Sequence, residues 1–221
     1  MTSTLLRPDV AATLRREHEA ARAMFAARAA RPPAAEGEQP AHKLDFRTSE
    51  THRTSYLSIG PRMGRFLYNT ARVSGARNIV EFGTSFGIST MYLAAAAADT
   101  GGRVTGSEFH PSKAEKARAN LADAGLADRA EIRVGDARET LADLDGPIDL
   151  LFLDGAKDLY IDILKMLEDR LRPGSAVICD NADHLPEDEG FLAYVGDANP
   201  RYLTTLLGFH KGLASYSIVL S

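Results

Sequence analysis

From residue 78 onward, short apolar segments alternate with segments rich in helix-forming residues. Strands that are separated by helices are typical of right-handed crossovers within one mainly parallel sheet. The pattern predicts five such strands, followed by two final strands that form a hairpin. The predicted strands are NIVEF (78–82), RVTGSE (103–108), AEIRVG (130–135), IDLLFLD (148–154), SAVICDN (175–181), RYLTTLL (201–207) and GLASYSIVLS (212–221).

The first 50 residues are predicted to be an appendage to a main domain of residues 51–221. Residues 9–30 are rich in strong helix formers, and the three prolines and one glycine of RPPAAEGEQP (31–40) end that helix in a loop. The helix could pack on its own domain or on a second copy in a homodimer. Its apolar candidates for either contact are Leu14, Met24 and Phe25.

A second helical pattern runs over residues 53–74 and leads into the first strand. Pro61 is expected near the first turn of this helix, where a missing N–H has no cost. The predicted apolar face of the helix comprises Met63, Phe66, Leu67 and Val73.

Composition and charge narrow the class of protein. The 221 residues carry a formal net charge of −4, so no basic field indicates nucleic acid as a partner. No apolar run is long enough to span a membrane, and the N-terminus has no signal-like apolar core. The single cysteine, Cys179, excludes an internal disulfide framework and is expected to be a small core residue. We therefore expect a cytoplasmic protein.

The turn after the first strand, VEFGTSFGIST (80–90), indicates a ligand site. Only Gly83 and Gly87 are present, whereas a dinucleotide fingerprint has three glycines. Glu81 would repel a pyrophosphate but suits a ligand with positive charge. S-adenosylmethionine has a sulfonium and an ammonium group and no phosphate, and the N–H groups of the next helix could take its carboxylate.

Two further strand ends fit the same ligand. Glu108, at the end of the second strand, lies where a ribose-binding acid is expected. Asp136 and Ala137 follow the third strand and could border the adenine. Each strand-end acid taken alone could equally be solvated, but three consecutive strands matching one pattern favour the cofactor.

The fourth and fifth strands also end in polar residues, Asp154 and the pair Asp180-Asn181. The carboxyl ends of parallel strands share one edge of the sheet, so these side chains are predicted to face the same space. Oxygen ligands without His or Cys suit Mg²⁺, although helix capping is an alternative for Asp154. Lys157 follows closely and could remove a proton from a hydroxyl group.

These motifs together resemble those of the small, cation-dependent O-methyltransferases, which include the catechol and caffeoyl-CoA enzymes and their bacterial relatives. The resemblance runs from about residue 54 to the C-terminus. It implies a Rossmann-like class I methyltransferase, an α/β fold with a seven-stranded, mostly parallel sheet and helices on both faces. The motifs that carry it are VEFGTSFGIST, VTGSEFHPSKAEKARANL, LLFLDGAKDLY, LRPGSAVICDN and GLASYSIV.

The resemblance also implies roles for single residues. Asp154, Asp180 and Asn181 match the metal ligands, with Asp154 also near the cofactor, and Lys157 matches the general base. The implied reaction moves a methyl group from S-adenosylmethionine to a hydroxyl of a small phenolic vicinal diol, assisted by Mg²⁺. The residues matching the cofactor site are Ser58, Ile59, Glu81, Gly83, Thr84, Ser89, Glu108, Phe109, Asp136, Ala137 and Asp154.

One position departs from the family pattern. The catechol enzyme has a glutamate that helps to hold the second substrate hydroxyl, and the matching residue here is Ala214. The acceptor is therefore not expected to be held as free catechol is. Arg47, His52, His184 and the proline-rich loop are further candidates for substrate contact.

Two other readings stay open at this stage. A metal-independent methyltransferase would keep the cofactor site and make Asp180-Asn181 structural. A non-catalytic module would bind the cofactor without turnover. A nicotinamide dehydrogenase is disfavoured by Glu81 and by the missing third glycine.

Overall fold

The computed structural model describes residues 3–30, 44–185, 190–209 and 212–221. Its centre is a seven-stranded sheet in the order β3-β2-β1-β4-β5-β7-β6. The strands are β1 (Asn78–Phe82), β2 (Arg103–Glu108), β3 (Ala130–Val134), β4 (Ile148–Leu153), β5 (Leu171–Cys179), β6 (Tyr202–Phe209) and β7 (Gly212–Val219).

The strand directions confirm the predicted class. The first five strands are parallel, and β7 lies antiparallel between β5 and β6. Phe82, at the end of β1, is in register with Ser107 of β2 on one side and with Leu153 of β4 on the other. The strand order reverses between β1 and β4, so the crevice for a ligand opens at the carboxyl ends of these strands.

Helices cover both faces of the sheet because successive side chains of a buried strand point to opposite sides. In β1, Ile79 packs with the helices of one face and Val80 with those of the other. One face carries α1 (Pro8–Ala29), α3 (Pro61–Ser74), α4 (Ile88–Thr100) and α5 (Pro111–Asp123), and the other carries α6 (Ala137–Thr140), α7 (Tyr160–Leu167) and α8 (Phe191–Tyr194). The short helix α2 (Glu50–Thr54) precedes α3.

The predicted helix over 53–74 is wrong in its first part. Residues 55–60 are not helical, and α3 begins at Pro61 as its first helical residue. A residue before proline is driven away from the helical region, which separates α2 from α3. Val73 is 90% exposed, so its predicted place on the apolar face of the helix is wrong. At about 100° per residue it lies opposite the buried stripe that includes Met63 and Leu67.

The fifth strand also differs from the prediction, which began it at Ser175. α7 ends at Leu167, and β5 begins at Leu171, so the Arg-Pro-Gly segment 172–174 belongs to the strand and not to a helix end. The pairing of β4 with β5 shifts register between Ile148 and Leu150. The irregular pairing accommodates a proline that cannot donate to the ladder.

The N-terminal helix α1 packs on its own domain. Leu14 is buried in the core of that face. Tyr56 donates from its hydroxyl to Glu17 at 2.7 Å and from its backbone N–H to the Met24 sulfur at 3.2 Å. A homodimer stays a prediction, and the proline-rich loop 31–40 lies outside the described residues. Among the helices that the structure describes, none combines the length and apolarity needed to cross a membrane.

Candidate active site

A cavity of about 630 Å³ opens at the carboxyl ends of β1, β2, β4 and β5. The loop at residues 44–58 and Phe25 of α1 close it from the N-terminal side. The residues predicted for cofactor, metal or proton transfer that line this one cavity are Ser58, Gly83, Glu108, Phe109, Asp154, Lys157, Asp180 and Asn181.

The first turn of the site requires glycine for two reasons. Gly83 has φ of 96°, and a Cβ there would lie 2.6 Å from the Asp154 carbonyl oxygen. The chain after β1 therefore touches the chain after β4, and a side chain would push them apart. Gly87 has φ of 83° and faces Ala117, whose Cβ would be 3.1 Å from an added Cβ.

Glu81 lies behind the cavity lining and is fully buried. Its Oε2 atom accepts from Thr84 at 3.0 Å and from Thr90 at 2.5 Å. Its Oε1 atom has no hydrogen-bond partner among the described residues. Burial raises the pKa of Glu81 to about 7, while the hydroxyls of Ser89, Thr90 and Thr84 act in the opposite direction. An orphaned buried oxygen fits a donor supplied by a ligand.

Glu108 is held in place by backbone donors. Ser85 donates its N–H to Oε2 at 2.7 Å, and His110 donates its N–H to Oε1 at 2.9 Å. Ser85 adopts a left-handed conformation with φ of 50°, which is uncommon for a residue other than glycine and is found at functional sites. The carboxylate is thereby oriented at the edge of the cavity, as binding of ribose hydroxyls requires.

The segment before α3 covers the Glu108 end of the cavity. The rings of Phe46 and Phe109 meet edge to face at 5.1 Å between centroids. His52 lines the cavity here, and its pKa is lowered by burial, with contributions from Lys113 and His110. His52 therefore lies near Lys113 and His110, and its contact with a substrate stays a prediction.

Arg47 and His184 differ in their relation to the cavity. Arg47 pairs with Asp45 at 3.4 Å and lies over the Phe46 ring, outside the lining. His184 lines the cavity near Asn181 with its side chain 48% exposed.

Lys113 was missed by sequence reasoning. It is 2% exposed, lines the cavity, and its Nζ atom donates to the Ser85 hydroxyl at 3.3 Å. Burial lowers the pKa of Lys113 to about 8, and the negative charges of Glu108 and Asp154 oppose that effect. Its spacing from the buried Ala117 and Leu121 places it on the inner face of α5, and that spacing was the available signal.

The predicted metal ligands come together at the ends of β4 and β5. Burial raises the pKa of Asp154 well above its usual value, and the charge of Asp180 raises it further. The Lys157 Nζ atom lies 3.6 Å from an Asp154 carboxylate oxygen. Asn181 has φ of 57°, a left-handed conformation that asparagine tolerates. Within the described ranges, no group of three His, Cys, Asp or Glu side chains could hold a metal, so the predicted set depends on the Asn181 amide.

Tyr160 is the second residue that the sequence did not reveal. Lys157 donates a close hydrogen bond to the Tyr160 hydroxyl, which itself donates to the Asp180 carbonyl oxygen at 3.4 Å. The ring packs edge to face against Phe82 and Phe191. Burial holds the pKa of Tyr160 well above its ordinary value. The hydroxyl therefore stays protonated and fixes the lysine beside Asp154.

Six predicted cofactor residues are not part of the lining of this cavity, and three of them, Ile59, Asp136 and Ala137, lie away from Glu81. Ile59 lines an adjacent cavity. Asp136 caps α6 and pairs with Arg138 at 2.6 Å, and Ala137 is buried in the core on the far face of the sheet. A border between Asp136-Ala137 and adenine stays a prediction. Thr84 and Ser89 are buried beside Glu81, behind the lining.

Ala214 and Cys179 are both buried in the sheet. Ala214 is fully buried and lines neither cavity. Cys179 is fully buried and its pKa is raised to about 12 by burial, as expected of a core residue.

A cavity at the switch point of this strand order is the arrangement of the Rossmann-like class I methyltransferases. A family model described as a methyltransferase domain matches residues 80–182. Catechol O-methyltransferase of Mycobacterium tuberculosis is 34% identical over 186 residues, covering 82% of this chain and 83% of that protein.

Solved structures agree with this class. The O-methyltransferase from Bacillus cereus in complex with S-adenosylhomocysteine has a TM-score of 0.68 at 27% identity, covering 94% of this chain and 90% of that one. Cofactor-bound Rv0187 from MTB has a TM-score of 0.70 at 29% identity, covering 98% and 93%. The chain belongs to the class I, S-adenosylmethionine-dependent O-methyltransferases of the catechol and caffeoyl-CoA type.

Proposed function

We propose that the chain transfers the methyl group of S-adenosylmethionine to one hydroxyl of a small phenolic vicinal diol, with Mg²⁺ bound and Lys157 as the general base. The observation that carries the proposal is the shared cavity. The acids and amide at the ends of β4 and β5 open into the same space as Gly83 and Glu108. Relatives named catechol O-methyltransferase support the acceptor class.

The cofactor half of the proposal rests on two carboxylates and one turn. When bound, S-adenosylmethionine supplies an electrophilic methyl group on a sulfonium. Glu108 binds the ribose hydroxyls, since both its oxygens are already oriented by backbone N–H groups. Glu81 offers its unpartnered Oε1 to a donor and its charge to a cation. Ser58 and Ile59 would border the methionine end.

The donor set at the other end fits a hard cation. Asp154, Asp180 and Asn181 offer only oxygen ligands, as Mg²⁺ prefers. The raised pKa of Asp154 reflects burial next to a second acid, and a bound cation would relieve that repulsion. These three residues would hold Mg²⁺, which would supply Lewis-acid chemistry to a hydroxyl of the acceptor.

Lys157 is proposed to take the proton of the acceptor hydroxyl. Its nitrogen is fixed between the Asp154 carboxylate and the Tyr160 hydroxyl. In its neutral form the amine can accept a proton, and Asp154 then stabilises the ammonium that results. Phe82 and Phe25 in the cavity wall exclude water and favour a transfer that neutralises charge.

One observation favours a metal-independent alternative. The ion pair between Lys157 and Asp154 already compensates one of the two carboxylates without a cation. In that case the same cavity methylates a single hydroxyl, and Asp180 and Asn181 shape its wall.

The test is methyl transfer from labelled S-adenosylmethionine to a pooled set of vicinal diphenols, with Mg²⁺ and with EDTA. We expect activity that EDTA abolishes and added Mg²⁺ restores. Equal activity under both conditions would support the metal-independent reaction. Binding of S-adenosylhomocysteine, measured by calorimetry in the same buffers, is the control. Binding without transfer to any phenol would support the non-catalytic module instead.

A further inference from the structure

A second cavity of about 490 Å³ adjoins the first. It lies between α1, the first turn of α3 and the end of β6. Phe25, Ser58 and Asp180 line both cavities. A molecule bound at the ends of β4 and β5 can therefore extend into this space without leaving the protein.

The lining of the second cavity includes two arginines, both exposed to solvent. Arg22 of α1 and Arg62 of α3 both line it, and neither forms an ion pair with a residue that the structure describes. His18 lies on the same wall and shares a hydrogen bond with Tyr92 at 3.1 Å. Asp180 is the acidic residue of the described lining, and it lies on the wall shared with the first cavity.

The first turn of α3 adds to this positive field. The helix has 14 residues, and its N-cap is Gly60, which has no side chain to accept from the first N–H groups. Arg62 and Met63 of that turn both line the cavity. The free N–H groups and the helix dipole favour an anion at this point.

We propose that the second cavity binds an anionic group of the methyl acceptor, a carboxylate held by Arg22 and Arg62. A guanidinium fork matches a carboxylate in charge and in geometry. Arg22 and Arg62 line the second cavity and not the first, so a molecule anchored by them is oriented with its hydroxyls toward the first cavity. The diol half of this assignment rests on the proposed function.

Ala214 gives a reason for such an anchor. Ala214, which the resemblance matches to the substrate-holding glutamate of the catechol enzyme, is buried outside both linings and offers no such contact. An acceptor that loses this contact needs another one to be oriented. A distant ion pair can supply it, because binding energy away from the reacting atoms can position them.

The experiment compares acids with their uncharged amides. Calorimetry measures the affinity of the full chain, loaded with S-adenosylhomocysteine and Mg²⁺, for four compounds. They are 3,4-dihydroxybenzoate, 3-(3,4-dihydroxyphenyl)propanoate and the two matching amides. We expect at least one acid to bind roughly tenfold more tightly than its amide. The double variant Arg22→Ala/Arg62→Ala should lose that preference and keep its affinity for the amides.

A matched double variant controls for net charge and folding. Arg15→Ala/Arg65→Ala removes two exposed arginines from the same helices, outside both cavity linings. It should retain the preference for the acid. Any of three results would overturn the anion site. Acids and amides could bind equally, the preference for the acid could survive in Arg22→Ala/Arg62→Ala, or the control variant could lose that preference to the same extent.

Methyl transfer to the same four compounds separates this inference from the proposed function. In one outcome, the acids bind more tightly in a way that depends on Arg22 and Arg62, but no compound is methylated. This outcome would contradict the methylation of diols and leave the anion site supported. Transfer to acids and amides at equal kcat/KM would contradict the anion site and leave the methylation of diols supported.

Discussion

The Nζ atom of Lys157 lies 3.6 Å from a carboxylate oxygen of Asp154, which precedes Lys157 by three residues in the chain. The Tyr160 hydroxyl holds the same nitrogen from the other side. We predict that Lys157→Ala lowers kcat for methyl transfer by about 10²- to 10⁴-fold, the usual contribution of a general base. Affinity for S-adenosylhomocysteine should be unchanged, because Lys157 is not proposed to bind the cofactor.

Lys165→Ala is the matched control for this variant. Lys165 lies on α7, is exposed, and contacts the Tyr194 ring away from the cavity. Its replacement should leave kcat within about twofold, as for most surface substitutions. Equal losses in the two variants, in single-turnover assays, would show that Lys157 acts through stability and not through proton transfer.

Gly83→Ala should destabilise the protein more than its backbone angle alone requires. An added Cβ would meet the backbone of Asp154 and Gly155 at 2.6 Å. Gly174→Ala is the control, since Gly174 has a similar φ of 91° and no atom within 4 Å of an added Cβ. We expect about 1 to 2 kcal/mol lost at Gly174 and about 3 kcal/mol or more at Gly83, measured by urea unfolding. Similar losses would mean that the two strand ends can separate at little cost.

Glu108→Gln should weaken cofactor binding. The substitution keeps the size of the side chain but removes a charge that accepts from Ser85 and is proposed to accept from ribose. We expect the Kd for S-adenosylhomocysteine to rise roughly 10- to 100-fold, as for loss of a hydrogen bond to a charged group. Glu131→Gln, an exposed position on β3 paired with Arg133, should bind as the wild type does. An unchanged Kd in Glu108→Gln would remove Glu108 from the ribose site.

The contribution of Glu81 to the stability of the cofactor-free protein should fall as pH rises from about 4.5 to about 7. Burial raises the pKa of Glu81 from 4.5 to about 7 in the folded chain. Between these two pH values the unfolded chain releases the proton while the folded chain keeps it, so rising pH favours the unfolded chain. The full effect is about 3 kcal/mol across this window. Above the folded pKa no further loss from Glu81 is expected.

Glu81→Gln isolates this contribution. Asp154, whose pKa burial also raises, is present in both proteins, so the difference between the two pH curves reports Glu81. Urea unfolding at half-unit steps from pH 4 to 8 measures both curves. Parallel curves would show that Glu81 does not titrate in this range.

Strand ends were the part of the site that could be predicted. Asp154 and Asp180 each follow an apolar strand and Glu108 is the last residue of β2, and parallel strands place their carboxyl ends at one edge. Their convergence in a single cavity follows from that topology alone. The same reasoning did not bring Asp136 into the cavity, because its carboxylate instead caps α6 and pairs with Arg138.

Residues on helices were harder to assign. Lys113 and Tyr160 lie on helix faces whose periodicity indicates burial, but burial alone does not distinguish a core residue from one lining a cavity. Val73 was placed on the wrong face because an apolar residue in the last turn of α3 remains in solvent. Exposed apolar residues are common on folded proteins, and a single one carries no structural signal.

Three things followed from the sequence alone. The alternation of strand and helix patterns predicted the sheet, the glycine turn and its acid predicted the class of cofactor, and the acids at strand ends predicted the edge that carries the site. These are local properties, repeated along the chain, that parallel topology converts into one location. The packing of α1 onto its own domain, the burial of Lys113 and the second cavity with its two arginines were decided by tertiary contacts. Such contacts join residues far apart in the chain, as Tyr56 joins Glu17 across 39 positions, and no local pattern encodes them.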